Sequence, residues 1–577
     1  MQATESTLRR SAHLSVFAHM GDVYLYHDLY GYILKMSPDI LDFLDQFAEP
    51  AEVAAVCQRY QDAFEGQPPQ QFIDIFDQFA CLVAPDDDEI TGILYMVPVQ
   101  SKWNVWRRIS GGDQGNGGGG IEFFTAWGER EPARLALTPE ETALWNAFDG
   151  ERRLGEMTKD FDRDLILGLA PRLTHHRVQA LKLSSFPLST YKNRRDMRPP
   201  YLTSTMPYAP YVSGQEAGDQ GGDAGQPVPA PGDRISTVAY YREQVADAEA
   251  QFDHRETTLS HLLRVPHPTL AQRTYGQALA DAIAERQLVP ASGPVKILEI
   301  GAGLGYVARD IHSRLIERGL EVSYDIVELS PALAAVQRTR LGELGITVRE
   351  GDVLDSDLGT GYHFILANEM LGDLPAVRLT RQQIGADATP DERAAALEAL
   401  GETGTLITEM GLELNDAPPE FYLTTGAIEL VRRLWSALAP GGACVLTEFG
   451  ELSSYPRLST QLDHPELSIH FGHLQRAART IGFTSEFEYI IDLLDWDRTL
   501  RGMATTRSYY RALGLMLGEA DVKLDKIGYT EDMFNAALAG KVDRDDIGEL
   551  HFDRIEDRLM GLVPHEFKAL ILRRPSQ

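Results

Sequence analysis

Glu299, Gly301, Gly303 and Gly305 fall within "VKILEIGAGLGYVARDI", Val295 to Ile311, where an apolar run ends in an acid and spaced glycines precede a helical pattern. Glycines at this spacing permit a tight turn in which backbone approaches a ligand with no side chain in the way. The chemistry such a turn serves is the binding of a nucleotide-like molecule. Glu328 lies 23 residues beyond Gly305, at the end of "VSYDIVELS" with Leu329 beside it, and a carboxylate there can take both hydroxyls of a ribose. Asp352 and Val353 follow "ITVREG", and "YHFILANEMLGDLP" runs into Asn368 and Glu369.

Four apolar runs must position these groups. Each is short and rich in Val, Ile, Leu or aromatic residues, as buried parallel strands are, and "YVARDIHSRLIERG" carries helical spacing up to Gly319. Strands that end on one edge of a parallel sheet build a single crevice from separate turns. The glycine pattern alone is shared by nicotinamide, flavin and S-adenosylmethionine sites. Glu299 separates them: it repels a pyrophosphate and attracts a cationic conjugate, which favours S-adenosylmethionine. A nicotinamide or flavin cofactor, or a fold that has lost its cofactor, stays open on these residues.

The segments "EIGAGLGYVARDI", "YDIVELSPALAAVQRTRL", "ANEMLGDLP", "LAPGGACVLTEFGE" and "FGHLQRAARTIGF" together resemble the MidA-type methyltransferases. The resemblance covers about Ser236 to the C-terminus. It implies an α/β, Rossmann-like, seven-stranded class I methyltransferase domain with helices on both faces. It also implies that Gly301, Gly303 and Gly305 line the cofactor, that Glu328 takes the ribose, that Asp352 lies near the adenine, and that Asn368 and Glu369 face the transferred methyl. Two departures leave the acceptor open. The family's acid after the fourth strand is displaced to Asp373, and Glu448-Phe449-Gly450 stands where the family tends to have Asp-Tyr-Gly. Asp373 and Glu448 are therefore candidate substrate contacts.

Methyl transfer is an in-line displacement, so the protein mainly aligns a nucleophile and removes its proton where needed. Glu369 suits a guanidinium contact or a base, or else a plain acid at a helix start. His464, His470 and His473 crowd "LDHPELSIHFGHL". His470 is a candidate base and His473 a candidate substrate contact, with core or surface histidines as the alternative. No metal is expected, because no carboxylate or cysteine completes a ligand set there.

Length and charge bound the rest. The 577 residues suffice for three or four domains, and 54 Lys plus Arg against 85 Asp plus Glu give a formal charge of −31. Such a surface disfavours nucleic acid and anionic membranes and favours a cationic partner. Three scattered cysteines and the lack of a long apolar run point to a reducing, cytoplasmic setting with no membrane span.

The N-terminal third says one thing twice: "GYILKMSPDILDFLDQF" and "ARLALTPEETALWNAF" each run from a β-rich segment through Ser-Pro or Thr-Pro into a helical pattern. Ser or Thr as N-cap, Pro at the first turn and acids after it make a sound helix start. Further helices and a closing strand follow each, so two small α+β winged-helix-like units are expected, at 1–95 and 96–205. The first, "VFAHMGDVYLYHDLYGYILKMSPDILDFLDQFAEPAEVAAVC", also resembles the PqqD-like domains that recognise leader peptides of ribosomally made, modified peptides. Scaffolding or homodimerisation by these units is the alternative. A Gly/Pro-rich linker is expected at 206–235, and a methyltransferase domain at 236–577 with helical insertions at about 377–420 and 501–560. The combined expectation is a methyltransferase acting on a peptide or protein, cationic or leader-tagged. A small-molecule methyltransferase and a non-catalytic assembly factor stay open.

Overall fold

A computed structural model of the chain describes all residues except 1–6, 20–21, 65–66, 102–103, 110–119, 126–132, 193–229, 250–251, 253–257, 462–463, 506 and 577. The chain forms two compact units. One comprises Met1–Val228, Thr505–Asp525 and Glu531–His551; the other comprises Pro229–Ala504, Lys526–Thr530 and Phe552–Gln577.

The apolar runs read as buried strands are strands of the second unit: β1 (Pro294–Ile300), β2 (Glu321–Glu328), β3 (Thr347–Glu350) and β4 (Tyr362–Asn368). With β5 (Leu438–Glu451), β6 (Thr484–Tyr489) and β7 (Phe567–Arg573) they run in the order β3-β2-β1-β4-β5-β7-β6. The strands β1 to β5 pair in parallel, and β7 is antiparallel to both its neighbours. An eighth short strand, Ile469–His470, extends the end of β5. Leu298, Ile365, Leu446 and Leu570 are buried in one core across the sheet. The strand order reverses between β1 and β4, and a crevice opens at the carboxyl ends there.

Helices α1 (Tyr275–Glu285), α2 (Tyr306–Glu317) and α3 (Pro331–Leu341) flank these strands. Local chemistry starts two of them. Thr274 and Gln277 form a capping box on α1, and the Ser330 side chain accepts from Leu333 N on α3. The insertion at 377–420 contains the helix Pro390–Ala399, which starts from Thr389-Pro390 with a Thr389/Glu392 capping box. Its flanking strands Ala376–Thr380 and Glu420–Leu423 pair with each other, and Ala376–Thr380 also pairs with Arg234–Ile235. The end of the expected linker is thus a strand, while 206–229 lie outside the described residues.

The first unit repeats one order of elements. A strand (Thr7–Arg10), a three-stranded meander (Leu14–His19, Asp22–His27, Tyr32–Met36), three helices and a closing strand (Leu82–Val83) paired back to the first make one copy. The second has Val97–Gln100, the meander Val105–Ile109, Gly120–Thr125, Ala133–Ala136, three helices, and Leu181–Ser184 paired to Val97–Gln100. Both expected helix starts are present, at Pro38–Asp45 and Pro139–Asn146, although only Thr138 makes a side-chain cap bond. The segment expected as an insertion at 501–560 divides between the units. Its helix Arg507–Gly518 packs on Val105–Ile109 and Gly120–Thr125, and Glu519 pairs with Arg107 at 2.6 Å. The Gly-rich 110–119 lies outside the described residues. Among those described, no helix is long and apolar enough to cross a membrane.

Candidate active site

At the switch point lies a cleft of about 1120 Å³, part of it open to solvent. Glu299, Gly301, Gly303, Glu328, Leu329, Asp352, Val353, Asn368, Glu369 and Asp373 all line it. Strand β1 delivers Glu299 and the glycine turn, β2 delivers Glu328, the turn after β3 delivers Asp352, and β4 delivers Asn368. Asp352 Oδ1 accepts from Leu354 N at 2.8 Å, which fixes its turn.

The turn needs its glycines for different reasons. All three have positive φ, at 65°, 53° and 81°. A Cβ on Gly303 would meet no protein atom within 4 Å, whereas one on Gly305 would press on Leu341 Cδ1 at 3.1 Å. Gly305 caps α2 and admits the side of α3. Gly305→Val should lower unfolding free energy by about 2–4 kcal/mol in urea titrations, from left-handed strain plus overpacking.

Two buried carboxylates floor the cleft. Tyr324 Oη donates to Glu299 Oε2 at 2.7 Å, and Glu328 accepts from Ser330 N at 3.0 Å and Gln337 Nε2 at 2.8 Å. Gln337 Nε2 also donates to Gly303 O at 2.7 Å, tying the glycine turn to Glu328. Burial pushes both carboxyls up to about 7; Glu328 raises Glu299 further while the Tyr324 bond opposes, and the Ser330 and Gln337 bonds oppose at Glu328. Between the ordinary carboxyl value and pH 7 the folded chain therefore holds protons that the unfolded chain has released, so stability falls as pH rises through that window and levels off above it. Glu299→Gln should flatten this fall and raise stability at pH 8 on the order of 2–3 kcal/mol, read from melts across pH 5–8.

Beside them, Asn368 Oδ1 accepts from Tyr275 Oη at 2.7 Å and Thr447 Oγ1 at 2.8 Å, so its amide is fixed by buried neighbours. Its Nδ2 donates to Glu369 Oε1 at 3.2 Å. Glu369 has a φ of 51°, a conformation uncommon for a residue with a Cβ. Its carboxylate accepts from Leu259 N at 2.7 Å and Ser260 N at 2.9 Å, and so anchors the start of the helical turn Leu259–Leu262.

That anchor belongs to a strap that sequence reasoning missed. Thr237, Val238, Tyr241, Phe252, Thr258, Ser260 and His261 all line the cleft. Tyr240, Val245, Ala248 and Phe252 of the strap are buried with Leu304 and Leu333, which seats it on the glycine turn and α3. Tyr241 Oη donates to Asp373 Oδ2 at 2.8 Å, His464 Nε2 lies 2.8 Å from Asp373 Oδ1, and the His464 ring stacks on Tyr240. Asp373 is thus spoken for by the strap. The aromatic pair in "VAYYREQ" was the one signal in the sequence, and it has no periodicity to mark it.

Glu448, His470 and His473 do not line the cleft. Glu448 is buried inside β5 and accepts from Gly372 N and Phe449 N; burial holds its carboxyl well above the ordinary value. His470 caps helix α4 (Phe471–Ile481), its Nδ1 accepting from His473 N at 3.2 Å, and the two rings stack at 3.6 Å. Burial lowers both histidines, His473 to about 3, so they pack as neutral rings. His470, the candidate base, and His473, the candidate substrate contact, are engaged in capping and stacking.

Residues 279–461 match the family model described as "Putative S-adenosyl-L-methionine-dependent methyltransferase". The second unit is an S-adenosylmethionine-dependent methyltransferase. No curated protein matches the sequence. The methyltransferase is similar to an uncharacterised protein from Burkholderia thailandensis at 19% identity, covering 59% of this chain and 88% of that one, with TM-score 0.31. It is also similar to an S-adenosylmethionine-dependent methyltransferase from Mesorhizobium loti (14% identity, 51% and 98% covered, TM-score 0.24) and to the [4+2]-cyclase SpnF (15%, 61% and 99%, TM-score 0.32).

The cleft fits its cofactor by its own chemistry. Two nearly buried carboxylates are costly in a cleft without a cation or hydroxyl donors to meet them. The would-be Cβ of Gly303 has open space.

Proposed function

We propose that the methyltransferase unit modifies a peptide or protein that the duplicated N-terminal unit captures. S-adenosylmethionine supplies an electrophilic methyl on a sulfonium. Glu328 takes the ribose hydroxyls, Gly301 and Gly303 admit the backbone close to the ligand, Glu299 lies toward its cationic end, and Asp352 with Val353 lies by the adenine. Asn368, locked by Tyr275 and Thr447, sits at the β4 end where the acceptor enters, and Phe252, Tyr241 and Val238 exclude water from above.

The observation that supports a peptide substrate is the repeated meander. Among the described strands, Leu14–His19 and Tyr32–Met36 each pair only with Asp22–His27, so an extended peptide can add to either edge. Capture raises the effective concentration of a distant residue at the cleft, so the cleft itself can select weakly. The net charge of −31 supports a cationic acceptor.

The test is incubation of the full chain with S-adenosylmethionine and short peptides, including any precursor peptide encoded beside it, followed by mass analysis. One added methyl, lost on competition with the unmodified leader segment alone, is the expected result. Methylation of free small acceptors with no peptide modified would favour the small-molecule reading instead.

A further inference from the structure

We propose that Asp28, His175 and His176 form a site for one divalent transition-metal ion of the zinc class, which joins the two N-terminal repeats. Asp28 stands between the strands Asp22–His27 and Tyr32–Met36 of the first repeat. His175 and His176 directly follow the helix Arg163–Thr174 of the second. One donor atom from each of the three lies within 4.8 Å of the others. Residues about 150 apart in sequence are thereby gathered into a mixed nitrogen and oxygen set of the kind zinc and its neighbours accept.

The geometry is close to that of a loaded site. His176 Nδ1 lies 2.9 Å from Asp28 Oδ1. Two ligands bound at ordinary zinc distances lie roughly 2.9–3.3 Å apart, so an ion can replace the proton these atoms share after a shift of a few tenths of an ångström. Arg177 N donates to His175 Nδ1 at 3.2 Å, a long bond that a metal bond or a ring rotation would displace. Supporting contacts are in place: Ser15 Oγ donates to Asp28 Oδ2 at 2.8 Å, and His176 N donates to Asp28 Oδ1 at 2.8 Å. Such contacts orient a carboxylate ligand and hold it when the ion is absent.

Binding exchanges the Asp28–His176 hydrogen bond for bonds to the ion, with water completing the coordination. The plain alternative is an ion pair that ties the repeats without metal, and it makes a different forecast.

The experiment uses the untagged full chain, stripped with a chelator and titrated with zinc chloride by calorimetry and with cobalt chloride by visible absorption. The expected result is one ion per chain, cobalt d–d bands, and a zinc-dependent rise in melting temperature reversed by chelator. His176→Gln and His175→Ala should each weaken binding by at least the roughly 10–100-fold that a lost supporting contact costs. His176→Gln also breaks the bond to Asp28 and can unfold the unit; His175→Ala leaves that bond and decides alone. An absence of binding in the native chain, or equal binding in His175→Ala, overturns the proposal in favour of the metal-free ion pair.

Discussion

Glu328→Ala should raise the dissociation constant for S-adenosylmethionine by about 100–1000-fold, because two hydrogen bonds to a charged acceptor are lost together. The size follows from the position of the carboxylate. It is buried at the end of β2, where burial has already lifted it to about 7, and it lines the cleft with both oxygens fixed by Ser330 N and Gln337 Nε2. A ribose diol donating to it restores what burial took from the anion. Alanine loses that and also frees Gln337, which steadies Gly303 O. Glu328→Gln keeps the shape and one acceptor and should lose about tenfold. Calorimetry reads both, and circular dichroism should show the fold intact, since the variant removes a costly buried acid along with its bonds. Unchanged affinity in Glu328→Ala would place the ribose elsewhere.

Glu369→Ala should cut methyl transfer by about 100-fold and loosen the strap, because the carboxylate accepts two backbone N–H bonds that together contribute about 3 kcal/mol. Leu259 N and Ser260 N donate to it, and the backbone at Glu369 sits at positive φ to present it. The side chain is therefore a positioning residue, holding the strap over the reacting end of the cleft. Hydrogen exchange at Leu259 and Ser260 should accelerate in the variant, with the largest effect on kcat. If Glu369 were instead a base, Glu369→Gln would erase the acid limb of the pH–rate profile, whereas a positioning residue leaves that limb in place. The two outcomes are distinct.

The glycine turn and the acids at the strand ends were legible in the sequence because their causes are local or periodic. A buried parallel strand needs a continuous apolar run, a turn at positive φ needs glycine, and Thr138-Pro139 and Thr389-Pro390 carry their caps within four residues. The strap was not legible. Tyr241 meets Asp373 and Glu369 meets Leu259 across more than a hundred residues, and no pattern in "YYREQVADAEAQF" announces those partners. The neighbour of Gly305 is Leu341 of α3, and a motif does not say which face of a turn meets a helix. His470 and His473 looked functional as a crowded set, yet one caps a helix and stacks on the other. The division of 501–560 depends on ion pairs such as Arg107 with Glu519, which pair distant segments.

Titration calorimetry with S-adenosylmethionine, S-adenosylhomocysteine and NADH on the full chain is the most direct measurement. Binding of the first two at one per chain, with the sulfonium form favoured as pH rises through about 7 and Glu299 ionises, is the predicted result. Tight binding of NADH with no heat from either sulfur ligand would contradict it.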